Sequence, residues 1–232
     1  MEIRTAEERG STRLAWLDSR HSFSFGYYYD PARLGVSSLR VINDDWVAPG
    51  GGFDTHGHRD MEILTYVTDG ELVHRDSMGN HFSLRAGDVQ LMRAGTGVTH
   101  SEFNGSNRAP VSFLQIWIQP AARHLAPHYE QLSLSHDAKN NCWINVGSPA
   151  GSDGEGVKIA QDVWIWAATL HDQTLQYAVK KGRQVYGHVV RGEVSVNGSE
   201  LKKGDAALIR EAESVAVTGN GEILVFDLIN AN

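Results

Sequence analysis

Short runs of apolar or alternating residues recur along all 232 residues, and helical periodicity is weak. Each run is bounded by Gly, Asn, Asp or Pro, as in EILTYV, VSFLQIWI, VWIWAATL, VYGHVV and EILVFDL. Many short strands at this spacing are typical of a β-sandwich or a β-barrel. We therefore expect an all-β fold with few short helices, the best candidates being DPARLG (30–35) and PHYEQLSL (127–134).

An internal repeat predicts two copies of one barrel unit. LRAGDVQLM at 84–92 resembles LKKGDAALI at 201–209, and TDGELV at 68–73 stands upstream as VRGEVSV does at 190–196. The same order of elements therefore occurs twice: a strand, a Gly-Glu turn, a strand, a Gly-Asp turn and a strand. We place the boundary near residue 133, which gives an N-terminal domain over 1–133 and a C-terminal domain over 134–232.

Composition narrows the class of protein. The formal net charge is −7 and no cluster of Lys or Arg occurs, which disfavours direct nucleic-acid binding. The single cysteine excludes an intrachain disulfide, and neither a signal-peptide pattern nor a long apolar run occurs. We therefore expect a cytoplasmic protein without a membrane segment. Two fused barrels can cover each other's sheet edges, so we also expect a monomer.

Two pairs of side chains have the spacing of metal ligands. His56 and His58 share one side of a strand if that segment is extended, with Cβ atoms about 7 Å apart. His100 and Glu102 form a second pair of this kind, preceded by two glycines that suggest a tight turn. Three imidazoles and a carboxylate inside a barrel leave open positions on an ion of five or six ligands, as in a catalytic site.

A simpler interpretation of these histidines involves no metal. The chain has 11 histidines, so one His-x-His pair can arise by chance and lie in a solvated turn. A purely structural pair of barrels would bind no metal. We interpret the scattered histidines as surface or singly hydrogen-bonded residues, namely His74, His81, His124, His128, His136, His171 and His188.

The motifs around these pairs resemble those of a known superfamily, the cupins. Gly50, His56-Gly57-His58, Glu62 and Gly70 resemble the first cupin motif, although the gap from Glu62 to Gly70 is one residue longer than in that motif. The second cupin motif is similar to the pattern of Gly87-Asp88, Gly97, His100 and Asn104, with Gly95 at the position where that motif usually has proline. Five segments closely resemble bacterial members of the pirin family: WLDSRHSFSFGYYYDP, LRVINDDWVAPGGGFDTHGHRDMEILTYV, DSMGN, AGTGVTHSE and LQIWIQP.

This resemblance implies two tandem cupin barrels, of the jelly-roll or double-stranded β-helix type, with metal in the N-terminal one only. By motif the ligands are His56, His58, His100 and Glu102, and Fe(II) is the expected ion, although Cu, Ni, Co, Mn or Zn suits these donors. Glu62 is a rival fourth ligand; otherwise Asp60 and Glu62 orient imidazoles. The C-terminal cupin is expected to be degenerate and metal-free, because GRQVYGHVV has a lone histidine.

The similar bacterial proteins are quercetin dioxygenases, which implies opening of a flavonol ring with O2 and release of CO. Glu102 would act as general base on the flavonol hydroxyl. Aromatic and apolar residues would form the flat pocket for the substrate, and we select Phe53, Met92, Phe113 and Trp117 from a wider set that adds Phe23, Phe25 and Tyr27. The alternative is a metal-dependent, redox-sensing binding protein that acts on a transcription regulator.

Overall fold

The structure is a computed structural model that describes residues 1–135 and 137–230. Its elements are β1 Glu2–Arg4, β2 Gly10–Arg13, β3 Leu17–His21, β4 Leu39–Val47, β5 Gly52–His58, β6 Glu62–Asp69, β7 Glu71–Asp76, β8 His81–Arg85, β9 Asp88–Arg93, β10 Val98–Asn104, β11 Val111–Ile118, β12 His128–Ser133, β13 Ile144–Pro149, β14 Val157–Ile159, β15 Val163–His171, β16 Leu175–Ala178, β17 Arg183–Val196, β18 Ser199–Lys202, β19 Ala206–Ile209 and β20 Ser214–Ile229, with 3-10 turns at Ala6–Glu8 and Asp137–Lys139. None of the described helices is long and apolar enough to span a membrane.

The prediction of an all-β fold is confirmed, but both candidate helices were wrong. DPARLG forms turns, and PHYEQLSL contains strand β12. That strand pairs with β9 from His128↔Arg93 to Ser133↔Asp88, so the sheet satisfies its backbone groups. The cross-strand bonds outweigh a helical preference that about two turns of chain cannot sustain alone.

Contacts divide the chain into two units. The N-terminal unit is Gly10–Ser133 with Val157–Gln161, and the C-terminal unit is Met1–Arg9, Leu134–Gly156 and Asp162–Asn232. These units differ from the predicted domains at two short segments. Strand β1 pairs with β19 in the C-terminal unit, whereas the backbone of Lys158 bonds to Arg93 and Glu130 in the N-terminal unit.

The N-terminal unit is built from two antiparallel sheets. One has the order β12-β9-β6-β11-β4-β3-β2, and the other has the order β5-β10-β7-β8. Buried side chains from both sheets form a common core, for example Val67 and Phe113 from the larger sheet with Leu72 and Leu84 from the smaller. Strands of the smaller sheet carry the predicted ligands at its β5-β10 edge.

The strands of the C-terminal unit form a single antiparallel sheet in the order β1-β19-β17-β20-β15-β13. Its two longest strands are β17 and β20. Strand β17 pairs with β19 through its first half and with β18 through its second. Likewise β20 pairs first with β16 and then with β15. These changes of partner enclose an apolar interior that includes Ala168, Leu170, Val185, Val189 and Val225.

The sequence repeat reappears in matching hydrogen bonds. Asp88 accepts a bond from the backbone N–H of Arg85 (2.7 Å), and Asp205 accepts one from that of Lys202 (2.9 Å). Gly87 and Gly204 both have positive φ and donate to Val67 and Val189, at 2.9 Å in each case. The Gly-Asp motif therefore forms the same turn in both units, because glycine tolerates the left-handed backbone and aspartate caps the preceding strand.

Candidate metal centre

Strands β5 and β10 bring the three predicted histidines together. In their antiparallel register His100 lies opposite His56, and Val98 lies opposite His58. Since residues two apart share a strand face, His58 joins the same cluster as His56. The prediction that the segment around His56 is extended is confirmed.

The three imidazoles converge through their Nε2 atoms. The Nε2 atom of His100 lies 3.0 Å from that of His58 and 3.1 Å from that of His56. All three ring centroids lie within 4.8 Å of one another. Donors that are each about 2.1 Å from one ion, at near right angles, stand at this separation. The three side chains therefore fit a single divalent cation.

Local bonding and burial keep these rings ready to donate electron pairs. The Nδ1–H of His56 donates to the carbonyl oxygen of Asp54 (2.7 Å), which leaves Nε2 as the free lone pair. Burial and the neighbouring histidines lower the pKa of His58 to about 4. Burial lowers the pKa of His100 to about 3, with the neighbouring imidazoles of His56 and His74 adding to the effect. Neutral imidazole is the form that binds a metal.

Glu102 is buried beside this cluster, and hydrogen bonds hold its carboxylate. Its Oε1 accepts bonds from the hydroxyl of Thr65 (3.1 Å) and the amide of Gln90 (2.7 Å), and its Oε2 accepts one from Gln115 (2.8 Å). A register shift follows His100 on β10, so Glu102 pairs with Phe53. A carboxylate oxygen of Glu102 lies within 4.8 Å of ligand atoms on both His74 and His100.

His74 adjoins this site, although the sequence predicted a surface or singly hydrogen-bonded residue. It is completely buried on β7, opposite Glu102 on β10, and its ring centroid lies 5.4 Å from that of His100. Its ring Nε2 bonds to the carboxylate of Asp76 (3.0 Å). The His-x-Asp spacing in ELVHRD is the signal that could have revealed this pair.

Asp60 and Glu62 make other contacts than the predicted orienting ones. The carboxylate of Asp60 accepts a bond from the backbone N–H of His124 (2.6 Å). Glu62 accepts bonds from Arg93 (2.6 Å) and from the backbone N–H of Ala160, and burial raises its pKa. Asp60 therefore bonds to the segment at His124, and Glu62 bonds to strand β9 and to the segment at Ala160.

The histidine cluster opens into a cavity of about 250 Å³. Phe53, Trp117 and Glu102 line this cavity, together with Phe25 and Tyr27. The Trp117 ring stands edge-on to His58, with centroids 5.0 Å apart. This volume lies just below the usual range for small-molecule sites, about 300 to 1,000 Å³.

Met92 and Phe113, for which a substrate role was predicted, are wholly buried and do not line the cavity; they belong to apolar clusters against which the cavity residues Trp117 and Phe53 pack. Phe23 is likewise buried. Strand parity did not separate these residues from Phe53 because both faces of the strands in a two-layer unit carry apolar side chains.

Polar residues that the sequence did not reveal line the same cavity. His21 is buried, and its ring bonds to Asn43 and Thr12 at 2.8 Å each. Gln115, on strand β11 of the larger sheet, contacts Glu102 on the smaller sheet. A single histidine or glutamine carries no spacing signal, so only the fold reveals these contacts. His136 lies outside the described residues, while His81, His124, His128 and His171 are exposed.

Comparison with known proteins places the chain in a family. The Pirin family profile matches residues 2–118, and that of the quercetinase C-terminal cupin domain matches residues 145–228. The chain is 42% identical to the quercetin 2,3-dioxygenase of Escherichia coli K12, over 97% of each chain. It is 36% identical to a pirin-like protein of Caulobacter vibrioides, over 95% of this chain and 96% of that one.

Solved structures agree with these matches. The bacterial pirin YhhW of Escherichia coli in complex with nickel(II) superimposes with a TM-score of 0.93 at 39% identity, over 99% of both chains. A quercetin 2,3-dioxygenase of Acinetobacter baumannii shares the fold, with a TM-score of 0.79 at 20% identity over 99% of this chain and 86% of that one. The predicted resemblance and the two-cupin architecture are confirmed, and the chain belongs to the pirin family.

Proposed function

We propose that this protein is a metal-dependent dioxygenase that opens the heterocycle of quercetin-like flavonols with O2 and releases CO. The observation that carries the proposal is the convergence of three Nε2 atoms at the base of a cavity that Glu102 also lines. The identity to a protein named quercetin 2,3-dioxygenase, over nearly the whole of both chains, supports the same activity.

His56, His58 and His100 would hold the ion, with Glu102 as fourth ligand or base. A bound Fe(II) ion would supply Lewis acidity and one-electron chemistry toward O2. The imidazoles of His58 and His100 stay neutral because burial holds their pKa values well below 7. The related YhhW was solved with nickel(II), and Cu, Co, Mn and Zn also suit this donor set.

Glu102 would take the proton of the flavonol 3-hydroxyl. Its carboxylate is ordered by three donors, so a substrate hydroxyl in the cavity meets an oxygen of fixed position. The proton then resides on a carboxylate oxygen while the flavonolate becomes electron-rich. This role favours Glu102 over Glu62, which accepts bonds from Arg93 and Ala160.

Aromatic side chains would orient the flat substrate. Phe25 stands edge-on to Trp117 at a centroid distance of 5.4 Å, and Phe53 stands edge-on to Trp16 at 5.0 Å. The rings of Phe25, Phe53 and Trp117 make this wall of the cavity apolar, which would strengthen the electrostatic effect of the site's charged groups.

Oxygen uptake tests the proposal directly. Protein loaded with Fe(II), Ni(II) or Cu(II) in turn is mixed with quercetin, and O2 consumption and CO release are recorded. We expect stoichiometric consumption with at least one metal and its loss, by about 100-fold or more, in His56→Ala. His81→Ala, which changes an exposed histidine on β8, serves as the matched control.

Failure of uptake with every metal would contradict the dioxygenase. The alternative, a redox-sensing protein that acts on a transcription regulator, predicts metal binding without uptake and stays a prediction. We further propose that the segment 1–133 carries the only metal and that the protein is a monomer. Elemental analysis and light scattering test these two statements.

A further inference from the structure

A second cavity lies in the C-terminal unit, at the open end of its apolar interior. Its volume is about 760 Å³. Along β15 the residues Trp164, Trp166, Ala168 and Leu170 share one strand face, and the last two belong to the buried core. The two tryptophans therefore continue this face toward the mouth, which is where barrels commonly hold small ligands.

Aromatic rings form the walls of this aromatic cleft, which we define by Trp143, Trp164, Trp166 and Tyr177. The rings of Trp164 and Trp166 stack with centroids 6.1 Å apart and planes 10° apart. Trp143 stands edge-on to Tyr177 at 5.8 Å. All three indoles are only half-buried, although burial would be favourable for side chains of this size. Flat, partly exposed ring faces suit a planar ligand.

Polar groups within the cleft are bonded to one another. The Tyr177 hydroxyl donates to Asp227 (2.7 Å), and burial and this bond together raise the Tyr177 pKa. Arg183 bonds to the same carboxylate through Nε and to Asp162 through Nη1 (2.8 Å). These bonds therefore fix the shape of the cleft, and Arg183 offsets one of the two carboxylate charges.

Two cations stand at the rim. Lys180 and Lys181 are exposed and line the cavity, in a turn closed by the bond from the Arg183 N–H to the Lys180 carbonyl (3.2 Å). Neither ammonium lies in an ion pair with any of the residues that the structure describes. The cavity lining thus carries three cations, with Arg183, against the two carboxylates Asp162 and Asp227, a net charge of +1 in a protein of net charge −7, which favours an anion locally.

We propose that the aromatic cleft binds a planar aromatic carboxylate of two or three rings. The rings would stack against the tryptophans while the carboxylate meets Lys180 and Lys181. The cavity volume falls within the range of small-molecule sites, about 300 to 1,000 Å³. This inference does not depend on the proposed dioxygenase activity, because every cleft residue belongs to the C-terminal unit and the histidine cluster belongs to the N-terminal one.

Calorimetric titration of the full-length, chelator-treated protein with 2-naphthoate tests the inference. We expect saturable binding of one equivalent with a Kd of about 1 mM or tighter. Trp164→Ala should weaken it about tenfold through lost stacking. The double variant Lys180→Ala/Lys181→Ala should weaken it about fivefold and reduce its dependence on salt. The neutral analogue 2-naphthamide should bind the wild type about as weakly as 2-naphthoate binds the double variant.

Two controls keep the outcome specific. Lys203→Ala removes an exposed lysine elsewhere in the same unit and should bind as the wild type does. His56→Ala should also bind normally, since a carboxylate held by residual metal would be lost in that variant. Absence of saturation, equal binding by the double lysine variant or loss of binding in His56→Ala would each overturn the inference. Thermal unfolding confirms that every variant is folded.

Discussion

The carboxylate of Glu102 accepts bonds from three donors, and an oxygen that bound a cation would have to give up at least part of this hydrogen bonding. Thr65, Gln90 and Gln115 satisfy both carboxylate oxygens, and the side chain is almost completely buried. Moving an oxygen onto an ion would cost at least one charge-assisted bond, each about 1.5 to 3 kcal/mol. These donors therefore set how tightly Glu102 would join the metal.

Replacing Gln115 tests this balance at the scale of one residue. Gln115→Leu removes the donor to Oε2, so the metal-free protein should lose about 1 to 3 kcal/mol of stability. Metal affinity should rise if Glu102 is a ligand, because the carboxylate gives up fewer bonds to reach the ion. Urea denaturation and competition with a metal chelator measure the two effects. Unchanged affinity would mean that Glu102 acts only as a base; the exposed Gln173→Leu is the control.

His188 is an isolated polar residue in the core of the C-terminal unit. It is fully buried on β17, and neither ring nitrogen has a hydrogen-bond partner in the described part of the chain. Burial lowers its pKa well below the usual value, and the nearby charges of Arg9 and Lys203 add to this effect. An unpaired imidazole in such a place destabilises the fold.

His188→Leu should therefore raise the free energy of unfolding at pH 7 by about 1 kcal/mol, because it removes an unsatisfied polar group without leaving a large cavity. Urea denaturation of wild type and variant provides the measurement. Exposed His171→Leu should change stability by no more than about 0.5 kcal/mol. A loss of stability in His188→Leu would show that the imidazole has a favourable partner.

At the scale of elements, the metal centre depends on how closely β5 approaches β10. A Cβ added at Gly52 would lie 2.6 Å from the carbonyl oxygen of Glu102 and 2.4 Å from the ring of Phe103. Glycine is thus required where β5 begins. Further along the same strand, a Cβ at Gly57 would meet nothing closer than 3.8 Å.

The two glycines form a matched pair for mutation. Gly52→Ala should force β5 away from β10, lower stability by about 1 to 3 kcal/mol and weaken metal binding, because His56 and His58 follow on the displaced strand. Gly57→Ala should leave both properties nearly unchanged, although it stands between these two histidines. Isothermal titration with Ni(II) and thermal unfolding compare them. Equal effects of the two substitutions would contradict this account of the strand pairing.

At the scale of the whole molecule, buried histidines couple stability to pH. The pKa is lowered to about 4 for His58, to about 3 for His100 and well below its usual value for His188. In the unfolded chain each histidine titrates near its ordinary value, about 6.5. Between these values the unfolded state binds more protons than the folded state, so stability falls as the pH falls.

The metal-free protein should therefore be most stable above about pH 6.5 and lose stability continuously as the pH falls toward 4. The pKa of Glu62 is raised by burial, which acts in the opposite direction, but three histidines oppose this one carboxyl group. Urea denaturation at several pH values gives the slope, and His188→Leu should reduce it. A flat profile from pH 7.5 to 4.5 would contradict the burial of these neutral imidazoles.

The local sequence pattern was sufficient to predict much of the fold and of the metal centre. Alternation and turn residues predicted an all-β chain, the repeated Gly-Asp turns predicted two related units, and i, i+2 spacing predicted which histidines share a face. Each of these properties depends on residues within a few positions of one another. PHYEQLSL was misassigned because a short segment takes its conformation from the strand that it meets, and DPARLG because local bonds, such as that from the Arg33 N–H to the Asp30 carbonyl, close turns there.

The sequence by itself determined the strand content, the repeat and the pairing of His56 with His58, since these follow from backbone periodicity and glycine stereochemistry. Only the tertiary structure decided that His100 faces His56, that His74 and three donors surround Glu102, and that Met92 and Phe113 are core. It also decided that four aromatic residues from β15, β16 and the segment before β13 share one cleft. Contacts between strands far apart in sequence depend on register and sheet order, which no local pattern specifies.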